Sequence, residues 1–110
     1  MSGVQKLDIQ AMQSAAARAC GMLKVLGNPD RLLLLCQLTQ GEFCVSDLEK
    51  QLQIQQPTLS QQLGVLREEG LVSTRREGKQ IFYRIDSPEA TAIMQVLYEL
   101  FCQPGKGEAT

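Results

Sequence analysis

Apolar residues recur at helical spacing through most of the chain and alternate with polar residues in one short segment of its second half. Intervals of three and four residues between apolar side chains predict a first helix from Leu7 to Leu26. Asn28 is a favoured N-cap residue and Pro29 a favoured first-turn residue, so a second helix is predicted from Asp30 to Thr39. The four consecutive leucines at 32–35 indicate that this second helix is buried on nearly every side.

A third and a fourth helix are predicted on either side of a tight turn. Ser46 and Glu49 stand three residues apart in a capping-box pattern, which predicts a short helix from 46 to about 52. Residues 53–55 form the turn, and leucines at helical spacing predict the fourth helix over residues 57–69. A short helix, a tight turn and a longer helix make a helix-turn-helix, whose second helix enters the major groove of duplex DNA.

The fourth helix has two chemically distinct faces. Pro57 suits its first turn and Gly70 its C-terminal cap. Leucines occupy the face that is predicted to be buried, whereas the start of the other face carries short hydroxyls and amides. Such groups can bond to base edges and phosphates. We therefore assign DNA contacts at this end of the helix to Gln56, Thr58, Ser60 and Gln61.

The alternating segment predicts a β-hairpin next to the fourth helix. Its strands cover residues 71–76 and 80–85 and flank the turn Glu77-Gly78-Lys79. Phe82 and Tyr83 face opposite sides of the second strand, so one of them belongs to the core. A basic hairpin beside a recognition helix is a wing. Its contacts to the DNA backbone or minor groove are assigned to Arg75, Arg76 and Lys79.

A last helix is predicted to begin at Ser87-Pro88-Glu89 and to run to about Cys102. The apolar stripes of the first and last helices need a surface on which to be buried, and a second subunit offers one. We therefore expect a homodimer through the terminal helices; the alternative is that both helices only close the core of the monomer. Residues 1–6 and 105–110 are expected to be flexible.

The composition narrows the classes of function. A length of 110 residues with 44% apolar content predicts a single domain, 1–110. No apolar run reaches the length of a membrane span and the start lacks a secretion-signal layout, which favours a cytoplasmic protein without membrane contact. The absence of His excludes a histidine base and an imidazole metal site. Without a phosphate-binding glycine loop or a nucleophile motif, we expect neither an enzyme nor a cofactor.

The net charge of −1 conceals an uneven distribution along the chain. Residues 56–85 carry five basic and three acidic side chains, whereas residues 1–55 are balanced and residues 86–110 are acidic. The region of the fourth helix and wing is therefore the net positive part of the chain, and a dimer doubles this footprint. An ordinary solvated surface is the alternative explanation for the charges of the hairpin.

Three segments together resemble the ArsR/SmtB family of bacterial winged-helix repressors over about residues 15–102. The sequence LKVLGNPDRL at 23–32 is similar to the family pattern ALxxPxRLxIL, and LSQQL at 59–63 stands in place of the usual SxHL, with Gln62 where the family has His. The third segment begins with EGLV and continues with RREGKQIFY at 75–83. The resemblance implies a homodimer of α-α-α-α-β-β-α subunits, mainly helical, that pairs its terminal helices and binds double-stranded operator DNA.

The resemblance also bears on the cysteines, which in a reducing cytoplasm are not expected to form structural disulfides. Cys36 and Cys102 resemble in placement the pair of the persulfide- and redox-sensing branch of the family, the BigR, SqrR and HlyU type. That likeness implies that reactive sulfur species or an oxidant bridge the two thiols by a disulfide or a short polysulfide chain, and that the bridged protein leaves its operator. The alternative is that both are packing cysteines.

Other functions stay open at the level of sequence. Cys44 resembles the first cysteine of the Cys-Val-Cys site of soft-metal sensors in the family, but Ser46 occupies the second position. A metal sensor would therefore need Cys44 together with Cys102 or Cys20. If it binds no metal, Cys20 is expected to be a small buried hydrophobic residue. A thiol oxidoreductase and a protein-binding module without DNA affinity are rivals from other classes. The sequence also leaves open whether the protein represses genes or displaces another DNA-binding protein.

Overall fold

The computed structural model describes residues 8–102. The expectation of flexible ends at 1–6 and 105–110 concerns residues outside this range. The helices and strands follow the predicted order with one additional short strand. They are α1 (Ile9–Leu26), α2 (Pro29–Leu38), β1 (Phe43–Cys44), α3 (Val45–Leu52), α4 (Thr58–Glu68), β2 (Val72–Glu77), β3 (Gln80–Ile85), α5 (Pro88–Leu97) and a π-helical segment (Tyr98–Cys102).

Side-chain caps fix the starts of α1, α2 and α5. Asp8 accepts a hydrogen bond from the backbone N–H of Ala11 at 2.7 Å, which begins α1. Asn28 accepts from two backbone N–H groups at the start of α2, as predicted from its N-cap preference. Ser87 does the same for α5, where its hydroxyl accepts from the N–H of Ala90 at 3.0 Å. These caps satisfy donors that a helix start otherwise leaves without partners.

The predicted capping pair of α3 is wrong. The helix begins at Val45, with Cys44 at the N-cap, and the Asp47 carboxylate accepts from the backbone N–H of Cys44 at 3.5 Å. The physical reason is that Phe43 and Cys44 pair with β3, so the chain passes directly from a strand into the helix. This pairing places the N-cap at Cys44, two residues before the predicted cap at Ser46.

The helix α4 has the buried face and the C-terminal stop that its sequence predicts. Its leucines are 0–1% exposed. Gly70 follows the helix with φ of +79°, a left-handed conformation that glycine adopts without steric cost. The N–H groups of Gly70 and Leu71 bond to the carbonyls of Arg67 and Leu66 at 3.0 and 2.9 Å, which is the Schellman arrangement. Pro57 precedes the first helical residue and occupies the N-cap position, one residue before the predicted place.

The three strands form an antiparallel sheet in the order β1-β3-β2. The β2–β3 hairpin matches the prediction to within one residue, but β1 was not predicted, because two residues are too short for an alternating pattern. Tyr83 pairs with Phe43 and Thr74 and packs against the core. Phe82 therefore faces the opposite side of the sheet, where it pairs with Arg75.

The core lies between α2, α3, α4, α5 and the sheet. Leu34, Leu35 and Leu38 of α2 are at most 2% exposed, but Leu33 is 46% exposed. The prediction that α2 is buried on nearly every side is therefore wrong. Successive helical residues are about 100° apart, so four leucines in a row cannot all face a core on one side of the helix.

The helix α1 extends away from this core. Every residue from Asp8 to Gly21 is exposed, and Val25 and Leu26 are the buried residues of the helix. The expectation that Cys20 is buried is wrong for this subunit, because it lies on the exposed part of α1. The radius of gyration is 16.5 Å, against roughly 13 Å for a compact domain of this length. None of the helices within residues 8–102 is long and apolar enough to cross a membrane.

Candidate DNA-binding surface and cysteine groove

The exposed start of α4 carries the polar residues assigned to DNA. Gln56, Ser60 and Gln61 are exposed and Thr58 is half-buried. The Gln56 side-chain oxygen accepts from the Ser60 hydroxyl at 2.7 Å and from the Ser60 backbone N–H at 3.1 Å. Gln56 thus stabilises the first turn, and its side chain is exposed. The hydroxyls and amides of this end are the kind of groups that bond to base edges and phosphates.

Gln62, which replaces the His of the family pattern, is held by an arginine from α2. The Arg31 guanidinium donates to the Gln62 side-chain oxygen at 2.8 Å and, through Nε, to the backbone carbonyl of Val25 at 2.6 Å. Its other amino group lies 3.4 Å from the carbonyl of Lys24. One side chain therefore connects the C-terminal end of α1 to the recognition helix. Arg31 belongs to the segment that is similar to the family pattern, but no local pattern indicates its contact with Gln62.

The wing places its three predicted basic residues in different surroundings. Arg75 is engaged by two carboxylates, with Nε 2.8 Å from Glu42 and Nη1 2.7 Å from Glu77. Hydrogen bonds to Glu77 and Glu42 raise the pKa of Arg75 above its ordinary value, so this guanidinium stays charged. Arg76 and Lys79 are exposed, and neither forms an ion pair with a residue between 8 and 102. Glu42 is a residue that the sequence reasoning missed, since it lies 33 positions from its partner.

Cys36 and Cys102 line the same groove, between α2 and the C-terminal helical segment. Its volume is about 600 Å³. Cys36 is half-buried, Cys102 is exposed, and both are free thiols. Burial raises the pKa of the Cys36 thiol, and the charge of a nearby Cys102 thiolate raises that pKa further. The other side chains along the groove include Leu33, Leu52, Thr91, Met94, Gln95 and Tyr98.

The remaining cysteines lie elsewhere. Cys20 is on exposed α1, and Cys44 is 4% exposed at the start of α3. The Cys44 sulfur lies 3.3 Å from the Ser46 hydroxyl and 3.3 Å from an oxygen of Asp47. In the part of the chain that the structure describes, no cluster of three or more His, Cys, Asp or Glu side chains is placed to hold a metal ion. The alternative metal site therefore has one sulfur and one carboxylate within reach in this subunit.

Comparisons with known proteins agree with this architecture. The family described as bacterial regulatory protein, arsR family, matches residues 28–74. The biofilm growth-associated repressor of Agrobacterium fabrum is 52% identical over 101 residues, which span 92% of this chain and 86% of that protein. The transcriptional activator HlyU of Vibrio cholerae is 39% identical over 88% of this chain and 90% of that protein. The crystal structure of the transcriptional repressor BigR from Xylella fastidiosa superposes with a TM-score of 0.80 at 49% identity, covering 88% of this chain and 99% of that one.

These likenesses confirm the winged-helix fold class that the sequence predicted. The structures of BigR and of reduced HlyU from Vibrio cholerae superpose on this chain with TM-scores of 0.80 and 0.82, and the relatives are transcriptional regulators rather than enzymes.

Proposed function

Because the chain belongs to the ArsR family of bacterial regulatory proteins, whose members bind operator DNA, we propose that it is a cytoplasmic, single-domain homodimeric repressor controlled by two thiols. It binds its operator when Cys36 and Cys102 are reduced and leaves the operator when they are bridged. The observation that carries this proposal is the shared groove in which the two thiols lie.

The apolar surface of the terminal helices supports a dimer. Ile9, Met12 and Leu23 of α1 are 65%, 49% and 61% exposed. At the other end of the chain, Leu100 and Phe101 are 61% and 74% exposed. A second subunit can bury such exposed apolar side chains of the two terminal helices, and a two-fold dimer presents two recognition helices to successive major grooves.

The exposed polar residues support the proposed docking on DNA. The start of α4 enters the major groove, and Lys79 at the tip of the wing, with Arg76 beside it, binds phosphates or the minor groove. Arg75 differs from these two because its guanidinium already binds carboxylates. The proposed contacts of α4 are made by Gln56, Thr58, Ser60 and Gln61.

The different exposure of the two thiols sets the order of the chemistry. The Cys102 thiolate attacks the outer sulfur of a low-molecular-weight persulfide, which forms a cysteine persulfide and releases the thiol of the donor. The Cys36 thiolate then attacks the inner sulfur of this persulfide, closes a disulfide and releases hydrosulfide. The sulfur that leaves as hydrosulfide accepts the two electrons that the thiols lose. Cys36 acts second because it is half-buried and its raised pKa lowers the fraction of thiolate.

A bridge between Cys36 and Cys102 links α2 to the π-helical segment (Tyr98–Cys102) that ends the C-terminal helix. A disulfide holds Cα atoms about 4.4 to 6.8 Å apart, which restricts both elements. The same α2 carries Arg31, which bonds to Gln62 on α4, and the C-terminal helix belongs to the proposed dimer interface. The bridge therefore changes the spacing of the two recognition helices, and a coupling free energy of about 1 to 3 kcal/mol lowers operator affinity roughly 5- to 150-fold.

Intact-protein mass spectrometry tests the sensing step. Reduced protein is exposed separately to glutathione persulfide, hydrogen peroxide and As(III), and Cys36→Ser and Cys102→Ser are compared with the matched control Cys20→Ser. We expect persulfide to produce a bridged species, in which neither groove thiol is free for alkylation, in the wild type and the control but in neither groove variant. Cys36→Ser should instead stop at a persulfide on Cys102. A wild-type protein that keeps two alkylatable groove thiols after persulfide treatment contradicts the proposal. Retained arsenic that requires Cys44 would instead place the protein among soft-metal sensors.

A further inference from the structure

Glu42 contacts two arginines that come from different strands of the wing. It precedes β1 and, by extension of the β1–β3 register, stands opposite Arg84, whose Nε is 4.0 Å from one Glu42 oxygen. The other oxygen accepts a hydrogen bond from Arg75 at 2.8 Å. Since β3 lies between β1 and β2, Arg75 reaches Glu42 by lying across the sheet, with Cζ 4.8 Å from the ring centre of Phe82. The Arg75 side chain is thus flattened on the sheet.

A second carboxylate holds the same guanidinium. Glu77, two residues along β2, accepts from Arg75 Nη1 at 2.7 Å. Arg75 therefore lies between two carboxylates and, with Arg84 beside Glu42, the two positive charges are balanced by two negative ones, so this part of the wing offers no net attraction to a phosphate. Lys79 and Arg76 are exposed without such partners among the described residues.

We infer that Glu42 withholds Arg75 from the phosphate backbone and thereby limits the sequence-independent part of DNA binding by this protein. This inference rests on the proposed docking of the wing on DNA. The side chains of Arg75 and Glu42 are 48% and 30% exposed, and an ion pair in such a setting is weak enough for a phosphate to compete with it. When a phosphate replaces Glu42 as the partner of Arg75, the Glu42 carboxylate stays beside that phosphate. Repulsion between the two negative groups offsets the gain from the new contact.

The restraint on Arg75 affects how steeply DNA binding by this protein depends on salt concentration. Each phosphate neutralised by a cationic side chain steepens the dependence of log K on log salt by about 0.9. Glu42→Gln removes the carboxylate that draws Arg75 across the sheet and leaves only the exposed ion pair with Glu77, which a phosphate can replace. Each docked wing therefore gains up to about one phosphate contact. At about 0.1 M salt this corresponds to binding tighter by up to roughly eightfold per wing.

The test measures affinity of the full-length protein for a mixed-sequence duplex as a function of KCl concentration. We expect Glu42→Gln to bind more tightly with a slope steeper by about 0.9 per wing, whereas Glu42→Asp, which keeps the charge, behaves like the wild type. Glu68→Gln is the matched control, since it removes the same charge from a residue that forms no ion pair with any described residue. Arg75→Gln alone changes little, and it abolishes the effect of Glu42→Gln in the double variant.

Two results overturn the inference. One is a Glu42→Gln protein that matches Glu68→Gln. The other is an Arg75→Gln protein whose slope is flatter by about 0.9 per wing, because Arg75 would then already neutralise a phosphate. Lys79→Ala and Arg76→Ala distinguish these two results from a failure of the proposed docking. A flatter salt slope in Lys79→Ala shows that the wing contacts DNA. An unchanged salt slope in both variants overturns the docking and the inference together. Circular dichroism melts verify that each variant keeps its fold.

Discussion

Replacing Arg31 or Gln62 removes the side-chain link between α2 and the recognition helix. Arg31→Met keeps an apolar stem of similar length and deletes the guanidinium, and Gln62→Met deletes the acceptor. The variants leave the core leucines of α4 in place. The pair therefore isolates one polar contact between α2 and the helix proposed to read DNA.

The distances give the expected magnitudes. The Arg31 bonds to Val25 and Gln62 are 2.6 and 2.8 Å long, whereas the approach to Lys24 at 3.4 Å is near the outer limit of a hydrogen bond and adds little. A hydrogen bond to a charged group contributes about 1.5 to 3 kcal/mol, and the half-buried position of Arg31 favours the lower end. We expect Arg31→Met to lower the free energy of unfolding by about 2 to 4 kcal/mol and Gln62→Met by about 1 to 2 kcal/mol.

A double-mutant cycle measures the contact itself. Urea unfolding is followed by circular dichroism, because the chain has no Trp, and at one protein concentration, because dimerisation shifts apparent stability. The expected coupling energy is about 1 kcal/mol or somewhat more. Both single variants and the double variant should lose operator affinity to a similar degree, since each releases the same contact.

An additive cycle, with a coupling energy below about 0.3 kcal/mol, would refute the link between Arg31 and Gln62 in solution. Gln62 would then be free to bond to DNA. In that case Gln62→Met alone should lower operator affinity, and Arg31→Met should change stability without changing DNA binding.

Three further outcomes follow from the site and the proposed dimer. Gln61→Ala should mainly relax sequence preference, and Lys79→Ala should weaken binding to all duplexes with a salt slope flatter by about 0.9 per wing; unchanged affinities for operator and random DNA would contradict this docking. Iodoacetamide should alkylate Cys102 before Cys36 at neutral pH. Raising the pH should accelerate the alkylation of Cys36, because its raised pKa keeps the thiol protonated below that pKa. Equal alkylation rates of the two thiols at neutral pH would count against the proposed order. Phe101→Asp should shift the protein from dimer to monomer in sedimentation experiments, and an unchanged dimer would exclude this residue from the interface.

The elements that follow from local chemistry were predicted well. Asn28 and Ser87 cap helices as their side chains favour, and Gly70 ends α4 in a left-handed conformation. The buried leucines of α4 follow directly from their spacing. In each case the interactions that decide the structure lie within a few residues along the chain.

The wrong predictions concern features that depend on contacts between residues far apart in the sequence. The start of α3 at Val45 depends on the pairing of Cys44 with β3, which the sequence around α3 does not reveal. The exposure of Leu33 and Cys20 depends on which sides of α2 and α1 meet other elements of the subunit.

The same limit applies to the proposed site. The type and order of the polar residues at the start of α4 were predicted from the sequence. The pairing of Cys36 with Cys102 was implied by the resemblance to the family, and both cysteines line one groove. The partners of Arg31 and Arg75 lie 31 and 33 residues away, and no local pattern marks contacts of that kind. Arg75 was consequently assigned to DNA together with Lys79, whereas the structure places its guanidinium between Glu42 and Glu77.

We propose that bridging Cys36 and Cys102 lowers the affinity of the protein for its operator, and fluorescence anisotropy measures that affinity. The operator is first selected from random duplexes with the reduced wild-type protein. The affinity of the same preparation is then measured reduced and after glutathione persulfide, beside Cys36→Ser and Cys102→Ser. We expect an affinity loss of roughly 5- to 150-fold in the wild type and none in either variant. Equal affinity of the reduced and the bridged wild type would contradict it.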